Sequence, residues 1–394
     1  MVSGQSSFKY YVFILGCQFN YYDAARIASS MEALGGIRGN LTDADVIIAL
    51  ACSVRQRAVD RLIGHIKNWR MANTKVKVIV GACVLPADRR RLAKKVELIS
   101  DSVDLKTNTA QILESIGIRH HRANTTVCAP KELSEYQLFN ARCAYLTITS
   151  GCNNYCAYCA VPYTRKRELS YPAAGIVKEA KALAASGITH IILLGQNVNS
   201  YGLSKFMPRD LRKHRSPDGK LWTSANPSPF VKLLGRLEQI PKLEKISFLS
   251  PNPQDMSGDL IGWMKKSPKF GRELNLPLQS GSDRVLAAMN RRYSQKQYLT
   301  LVGRIRRAVP DIYLSTDIIV GFPGETPTDF TDTVKVARLC KFDKAYISTY
   351  SPRSGTAAAK IEDDVPRAEK KRRWSILEKL INKRLAPEYT RKRR

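Results

Sequence analysis

The sequence predicts an α/β protein in two parts: a parallel-sheet domain of Rossmann or flavodoxin type, then an open, partial (β/α)6 barrel. β-Branched strands alternate with helices in two series, and residues 118–140 between them have no hydrophobic periodicity. The length of 394 residues suits two domains. We expect an amino-terminal domain over 1–120, a linker over 121–140, a barrel core over 141–360, and a helix with a basic tail over 361–394.

The first series contains three predicted strands, and a cysteine follows each of them. The strands are 9–16, 45–50 and 76–81, and the cysteines are Cys17, Cys52 and Cys83. Continuous β-branched strands indicate a parallel sheet covered on both faces, in which ligands gather at the carboxyl ends of the strands. Three buried cysteines acting as small hydrophobic residues would be the simpler interpretation. The repeated position favours a metal site instead.

The second series contains six predicted strands separated by helical segments. The strands are 144–149, 190–194, 244–249, 273–278, 312–320 and 344–350, and the helices include 173–186, 229–239, 283–307 and 326–340. An active site is expected at the carboxyl ends of these strands, as in a full barrel. Residues 203–228 interrupt the series and are predicted to form a basic surface loop.

Three cysteines lie close together on the loop after the first strand of this second series. Cys152, Cys156 and Cys159 have the spacing C-x3-C-x2-C, and Tyr158 places an aromatic ring beside them. Three neighbouring thiolates usually indicate metal, but structural zinc and a ferredoxin-type cubane each take four protein ligands. Three ligands leave one metal position open for chemistry. A zinc knuckle with a remote fourth ligand is the alternative.

The composition favours a polyanionic partner and a reducing compartment. The formal charge is +30, and residues 55–95 contain twelve Lys and Arg against two Asp. Nine cysteines are an odd number, which argues against a disulfide framework. We expect no export signal and a cytoplasmic location. No segment approaches the ~18–20 apolar residues of a membrane span.

The cysteine spacing with its aromatic residue resembles the radical S-adenosylmethionine (SAM) enzymes. Further segments resemble the methylthiotransferases of that superfamily, in particular the MiaB-like branch, which acts on isopentenyladenosine beside the tRNA anticodon. These segments are LGCQFNYYDAARI (15–27), VPYTR (161–165), LLGQNVNSYG (193–202), LPLQSGSDRVLAAMNR (276–291) and DIIVGFPGET (317–326). The resemblance extends from about residue 9 to residue 385.

The resemblance implies two [4Fe–4S] clusters and SAM as cofactors. Cys152, Cys156 and Cys159 match the ligands of the radical SAM cluster, and Cys17, Cys52 and Cys83 match those of an auxiliary cluster. The polar candidates for the SAM and substrate pocket are Gln196, Asn197, Gln279, Ser280 and Asp317, each of which could instead cap a helix or a turn. Gly321 is expected to serve a tight turn that lets the backbone approach the adenosyl group.

The implied activity is addition of a methylthio group to C2 of the modified adenosine in the tRNA anticodon loop. The implied partners are an electron donor such as flavodoxin or ferredoxin and a sulfur source, and we expect a monomer. Related enzymes that act on threonylcarbamoyladenosine in tRNA or on a ribosomal-protein aspartate remain alternatives, and so does a non-catalytic, metal-stabilised RNA-binding protein.

The sequence departs from the family pattern at its carboxyl end and within its motifs. The family usually ends in a β-barrel domain called TRAM, whereas this chain offers only RRWSILEKLINKRLAPEYTRKRR (372–394) where that domain should begin, too short and too charged for a barrel. Lys166 stands where a glycine usually follows the arginine of VPYTR. The cluster cysteines are unaffected, so these departures concern RNA binding and substrate identity.

Overall fold

A computed structural model describes residues 7–52, 56–100, 105, 107–121, 138–203 and 226–383. Residues 122–137 of the predicted linker, residues 204–225 of the basic loop predicted over 203–228, and the tail from 384 lie outside the described residues. The described chain divides into two compact units. The first unit contains the chain up to Thr147 together with 160–167 and 186–188, and the second contains 148–159, 168–185 and the residues from 189 onward.

The first unit contains a five-stranded parallel sheet. Its elements in chain order are β1 (Phe8–Ile14), α1 (Gln18–Ala33), β2 (Gly36–Arg38), β3 (Val46–Cys52), α2 (Gln56–Ala72), β4 (Lys77–Cys83), α3 (Pro86–Leu92), β5 (Leu98–Ile99) and α4 (Thr109–Ser115). The strand order is β2-β1-β3-β4-β5. An antiparallel pair, β6 (Leu138–Asn140) and β7 (Cys143–Thr147), and a short helix, α5 (Val161–Thr164), complete the unit.

The central strand β3 shows why this sheet is covered on both faces. All seven of its residues are buried. Ile48 packs in one apolar cluster with α1 and α4, whereas Ile47 packs in another with α2 and α3. Because successive side chains of a strand point to opposite faces, an uninterrupted apolar strand requires a cover on each side. The predicted parallel-sheet fold class is therefore confirmed.

The second unit alternates strands and helices. Its elements are β8 (Thr149–Ser150), β9 (Leu169–Ser170), α6 (Ala173–Ala185), β10 (His190–Leu194), α7 (Pro229–Glu238), β11 (Lys245–Phe248), α8 (Gly258–Lys266), β12 (Glu273–Asn275), α9 (Asp283–Ala288), α10 (Gln295–Ala308), β13 (Tyr313–Val320), α11 (Pro327–Cys340), β14 (Lys344–Thr349) and α12 (Arg367–Leu377). Strand β10 pairs in parallel with β11, and β13 pairs in parallel with both β12 and β14. The β/α alternation predicted for this series is present.

The single helix predicted over 283–307 is wrong, because the chain forms two helices there, α9 and α10. Asn290 has a φ of 56°, which no α-helix interior allows, and it ends the first helix. Ser294 then starts the second helix with a capping box, in which its side chain and that of Gln297 exchange hydrogen bonds with each other's backbone. The interruption brings residues 289–291 to the cysteine loop described below.

None of the helices in the described part of the chain combines the length and the apolar character needed to cross a membrane.

Candidate active site

Cys17, Cys52 and Cys83, the strand-end triplet, lie at one edge of the first unit's sheet. Cys52 and Cys83 are the last residues of β3 and β4 and are directly paired in register. Cys17 follows the neighbouring strand β1 and is the N-cap of α1, but its side chain makes no capping hydrogen bond. It is close enough to Cys83 for electrostatic interaction. The parallel topology thus brings three sulfur atoms from distant sequence positions to one edge.

Arg165, the last residue of VPYTR, lies against this triplet within the first unit. Its Nε donates a hydrogen bond to Sγ of Cys83 at 3.0 Å, and its Nη2 forms an ion pair with Asp23 at 3.0 Å. The side chains of Arg165 and Asp23 are only 5% and 3% exposed. Burial by itself lowers the pKa of Arg165, but Cys83, Asp23 and Cys17 raise it well above its ordinary value. A permanent positive charge is therefore buried beside the sulfur atoms.

Cys152, Cys156 and Cys159, the loop triplet, lie on the segment that follows β8 in the second unit. Backbone contacts fix this segment. Asn290 Nδ2 donates to the carbonyl oxygens of Asn154 and Tyr155 at 3.1 and 2.9 Å. Ala157 N donates to the Met289 carbonyl at 2.9 Å. The cysteine loop is therefore held in place by the break between α9 and α10.

The loop triplet is itself compact. Cys159 N donates to the Cys156 carbonyl at 2.9 Å, which closes a turn between the second and third cysteines. Burial raises the pKa of the Cys152 thiol well above its ordinary value, and the nearby Cys156 and Cys159 raise it further. A metal binds the thiolate and displaces the thiol proton, so Cys152 loses its proton when the metal binds.

A second buried arginine accompanies the loop triplet. Arg291 Nη1 donates to Sγ of Cys156 at 3.5 Å. Its Nε donates to the hydroxyl of Tyr293 at 3.1 Å, and its Nη2 donates to the side-chain oxygen of Asn252 at 3.3 Å. These two oxygen partners are uncharged, so none of these three hydrogen bonds joins Arg291 to a carboxylate.

Tyr158 lies inside the loop triplet, as its sequence position suggests. Its ring packs against an apolar cluster that includes Val285, Met289 and Phe322. Burial raises the pKa of Tyr158 well above its ordinary value, so the phenol remains neutral. It therefore contributes an uncharged aromatic wall beside Cys156.

Gln196 and Asn197 follow β10 and carry unsatisfied buried oxygens. Among the described residues, Gln196 Oε1, Asn197 Oδ1 and the neighbouring Thr149 Oγ1 have no hydrogen-bond partner. The amide nitrogen of Asn197 donates to Asp255 at 2.7 Å, which fixes the orientation of the amide group. Buried acceptors without partners are costly, so these atoms indicate a ligand that donates hydrogen bonds.

Gln279 and Asp317 lie side by side. Gln279 adopts a φ of 67°, its backbone bridges β13 through hydrogen bonds to the Asp317 carbonyl and from Ile319 N, and its Oε1 is buried without a partner among the described residues. Burial raises the pKa of Asp317, while Asn275 and Arg291 lower it. Asp317 is thus within electrostatic range of the arginine that contacts Cys156, which links this pair to the loop triplet.

Ser280 differs from the other polar candidates because its hydroxyl is already occupied. It is fully buried, lies 3.4 Å from the Thr333 hydroxyl and accepts a hydrogen bond from Ser282 N at 3.3 Å. These contacts join the loop after β12 to α11. Ser280 therefore fits the capping and turn alternative better than ligand contact.

Gly321 occupies a turn at the end of β13. Its φ is +68°, and its N–H donates to the Glu325 carboxylate at 2.6 Å. A Cβ at this position would lie 2.3 Å from Cγ of Lys370. The absence of a side chain at Gly321 therefore lets the Lys370 side chain of α12 pack closely against its backbone.

The donor sets fit iron–sulfur clusters and SAM. Among the described residues, no group of three His, Cys, Asp or Glu side chains is arranged to hold one metal ion. A [4Fe–4S] cluster does not require that arrangement, since each thiolate binds a different iron atom. The unpartnered oxygens of Gln196, Asn197 and Gln279 are acceptors, which suit the amino and hydroxyl donors of SAM.

Sequence reasoning did not assign a role to several residues that support the sites. Arg165 and Arg291 each end a quoted motif, yet arginine in a basic chain carries little signal of its own. Asp23 and Asn290 could be identified only from their contacts. The sequence feature that could have identified the two arginines is that each is the last residue of a family motif.

Family patterns match both units. Residues 146–337 match the Radical SAM superfamily, and residues 9–103 match a family described as Uncharacterized protein family UPF0004. The tRNA-2-methylthio-N(6)-dimethylallyladenosine synthase of Endomicrobium trichonymphae is 38% identical over 379 residues, covering 95% of this chain and 84% of the relative. The enzyme of the same name from Caldicellulosiruptor saccharolyticus is 38% identical over 384 residues, covering 94% and 77%.

Two solved structures share the fold. The radical SAM methyltransferase TsrM from Kitasatospora setae, with cobalamin and a [4Fe-4S] cluster bound, superimposes with a TM-score of 0.58 at 15% identity, covering 90% of this chain and 74% of that chain. The cobalamin-dependent SAM radical enzyme OxsB gives a TM-score of 0.54 at 12% identity, covering 89% and 54%.

Proposed function

Because the chain belongs to the family of radical SAM tRNA-2-methylthio-N(6)-dimethylallyladenosine synthases, we propose that it adds a methylthio group to C2 of N6-isopentenyladenosine next to the anticodon. The observation that carries this proposal is the presence of two separate cysteine triplets, one in each unit. The C2–H of adenine is neither acidic nor easily displaced, so acid–base groups alone cannot replace it with sulfur. One site is needed for radical generation and another for sulfur.

The two triplets divide these tasks. We assign the radical SAM cluster to Cys152, Cys156 and Cys159, and the auxiliary cluster to Cys17, Cys52 and Cys83. When bound, the two clusters and SAM would supply radical chemistry, a sulfur atom for transfer and a methyl group from a second SAM. The protein supplies the thiolates, the hydrogen-bond acceptors and a site that excludes water.

The polar residues at the strand ends bind and orient SAM in this proposal. Gln196, Asn197 and Gln279 offer the unpartnered acceptor oxygens. The amide of Asn197 is fixed by its hydrogen bond to Asp255, so it has little rotational freedom left to lose on binding. Tyr158 packs beside Cys156 and contributes an aromatic wall to the pocket. Asp317 lies on β13, and Gly321 directly follows that strand.

tRNA is the macromolecular substrate, held through its phosphates. Helices α2 and α3 of the first unit and the turn after them present exposed cations, among them Lys67, Arg90 and Lys94. The net charge of +30 favours a polyanion. An anticodon-loop base can be splayed out of its stack at modest cost. tRNA affinity should therefore fall steeply with salt, with a log–log slope of several units.

The remaining partners follow from the same chemistry. A donor such as flavodoxin or ferredoxin would reduce the radical SAM cluster, and a sulfur source would recharge the auxiliary one. We expect a monomer that works in the cytoplasm.

Separate substitution of one cysteine from each triplet tests the proposal. Cys17→Ala should leave cleavage of SAM to 5′-deoxyadenosine largely intact but abolish the methylthio product in tRNA. Cys156→Ala should abolish both. Mass spectrometry of nuclease-digested tRNA, run beside a 5′-deoxyadenosine assay on anaerobically reconstituted protein, reads both activities.

The same digest identifies the substrate. A methylthio group on threonylcarbamoyladenosine would replace the isopentenyl assignment. A Cys17→Ala protein that still methylthiolates tRNA would exclude a sulfur-donating role for the strand-end triplet. Stoichiometric zinc with little iron would favour the metal-stabilised RNA-binding alternative.

A further inference from the structure

The VPYTR motif ends in Arg165, and nothing in the proposed division of tasks uses this residue. It follows Cys159 by six positions in the sequence, yet its side chain belongs to the strand-end triplet of the first unit. It lies just after α5 and donates Nε–H to Cys83 Sγ at 3.0 Å. The strands supply the three sulfur atoms, and a later segment of the chain supplies the cation.

The orientation of the guanidinium is fixed on several sides. Nη2 donates to Asp23 Oδ2 at 3.0 Å and to Asn20 Oδ1 at 3.2 Å, and the group lies 5.1 Å above the Phe19 ring. Asp23 and Asn20 are 2% and 0% exposed. A planar fork with this many partners cannot rotate away from the sulfur without breaking a buried ion pair.

Asn20 extends this network to the strand that carries Cys52. Its Nδ2 lies 3.2 Å from each of the carbonyl oxygens of Leu50 and Ala51. A Cβ on Gly16 would lie 2.1 Å from the same nitrogen, so only glycine leaves room for Asn20 there. The contacts of Arg165 and Asn20 therefore join the ends of all three cysteine-bearing strands.

We propose that Arg165 is a positioning residue for the auxiliary cluster: its Nε–H holds the Cys83 sulfur in the orientation that binds iron, and its hydrogen bond and charge raise the cluster's reduction potential. This inference rests on the proposed function, because it requires a cluster on the strand-end triplet. A sulfur atom bound to iron keeps lone pairs and remains a hydrogen-bond acceptor. Hydrogen bonds to the sulfurs and nearby charge are two of the factors that set cluster potentials.

The test uses the full chain with the loop triplet removed. In Cys152→Ala/Cys156→Ala/Cys159→Ala protein, any remaining iron–sulfur signal belongs to the strand-end triplet. Arg165→Gln and Arg165→Lys are added separately, with Arg167→Gln as the matched control, since Arg167 is exposed and carries the same charge. The readouts are a redox titration followed by electron paramagnetic resonance and the rate of iron loss to a chelator.

Arg165→Gln should shift the midpoint potential to a more negative value and speed iron loss about 10-fold or more, the usual effect of losing a residue that supports a metal ligand. Arg165→Lys should retain part of the potential, because the charge remains but the directed Nε–H is lost. Arg167→Gln should match the parent protein in both measurements.

The outcomes separate the inference from the proposed function. If the triple-alanine parent binds no iron after reconstitution, the auxiliary cluster itself is wrong. If it binds iron but Arg165→Gln and Arg165→Lys keep the parental potential and the parental rate of iron loss, the role of Arg165 is wrong. A structural role alone would lower the thermal stability of the variants without moving the potential. Should Arg165→Gln fail to fold, Arg165→Lys decides by the same two readouts.

Discussion

The two cysteine triplets reach similar surroundings by different routes. The loop triplet lies within residues 152–159, so a short segment fixes its geometry once its backbone is held. The strand-end triplet is spread over residues 17–83 and depends on three parallel strands meeting at one edge. At each triplet an arginine donates to a cysteine sulfur: Arg165 to Cys83 and Arg291 to Cys156.

The arginines differ in how their charge is balanced. Arg165 shares its guanidinium between a sulfur and the carboxylate of Asp23, whereas the hydroxyl of Tyr293 and the amide oxygen of Asn252 hold Arg291. The carboxylate of Asp23 offsets part of the charge of Arg165 but leaves its hydrogen bond to the sulfur in place. An arginine held by neutral oxygens leaves more of its positive charge to act on the sulfur atoms. The comparison indicates that Asp23 offsets part of the charge beside the strand-end triplet, whereas Tyr293 and Asn252 bind Arg291 through neutral oxygens.

Removing either triplet gives the largest expected effect. The reconstituted protein should contain about 8 iron atoms, since each [4Fe–4S] cluster holds four. The triple alanine variant of either triplet should retain about half of that iron. SAM cleavage should disappear only when the loop triplet is removed. Iron analysis with a 5′-deoxyadenosine assay measures both, and loss of all iron from either variant would show that the two sites are not independent.

Breaking the arginine partners should give the next largest effect. Asp23→Asn leaves Arg165 as a buried charge without its carboxylate, which should lower the free energy of unfolding by about 3–5 kcal/mol. Tyr293→Phe removes a neutral partner of Arg291 and should lower it by about 1–2 kcal/mol. Denaturant unfolding of cluster-free protein compares the two variants. Equal losses would contradict the distinction between a paired and a neutral-partnered arginine.

The smallest expected effect concerns the residue next to each arginine. Lys166 and Asn290 both adopt left-handed conformations, with φ of 63° and 56°. Lys166→Gly should relieve about 1–2 kcal/mol of strain and lose about 0.5–1 kcal/mol through the greater freedom of the unfolded chain, for a net gain of about 0–1.5 kcal/mol.

Asn290→Gly is the matched substitution at the other site. Asparagine tolerates this conformation, and its amide holds the cysteine loop through Asn154 and Tyr155, so this change should destabilise by about 1–2 kcal/mol. Thermal unfolding should show a higher melting temperature for Lys166→Gly and a lower one for Asn290→Gly. A stabilising Asn290→Gly would show that the loop triplet does not depend on this amide.

Local patterns in the sequence predicted most of the fold and both cysteine sites. The β-branched strands identified the parallel sheets because such strands need cover on both faces, and the cysteines after them could be placed at one edge by topology alone. Predicting one helix over 283–307 was wrong because the left-handed Asn290 and the N-cap Ser294 interrupt an otherwise helical apolar pattern. A single left-handed residue has no strong signal when asparagine also occurs in helices.

Residue types and spacing by themselves predicted the α/β class and the two cysteine triplets, since thiolate chemistry and strand periodicity are local properties, and the resemblance of longer motifs predicted the family. Tertiary structure decided which groups surround the sulfur atoms. Arg165 reaches Cys83 across 82 positions and Arg291 reaches Cys156 across 135. Contacts at such separations depend on how strands and loops pack, because a charged side chain has no preference for a distant sulfur until folding has buried both together.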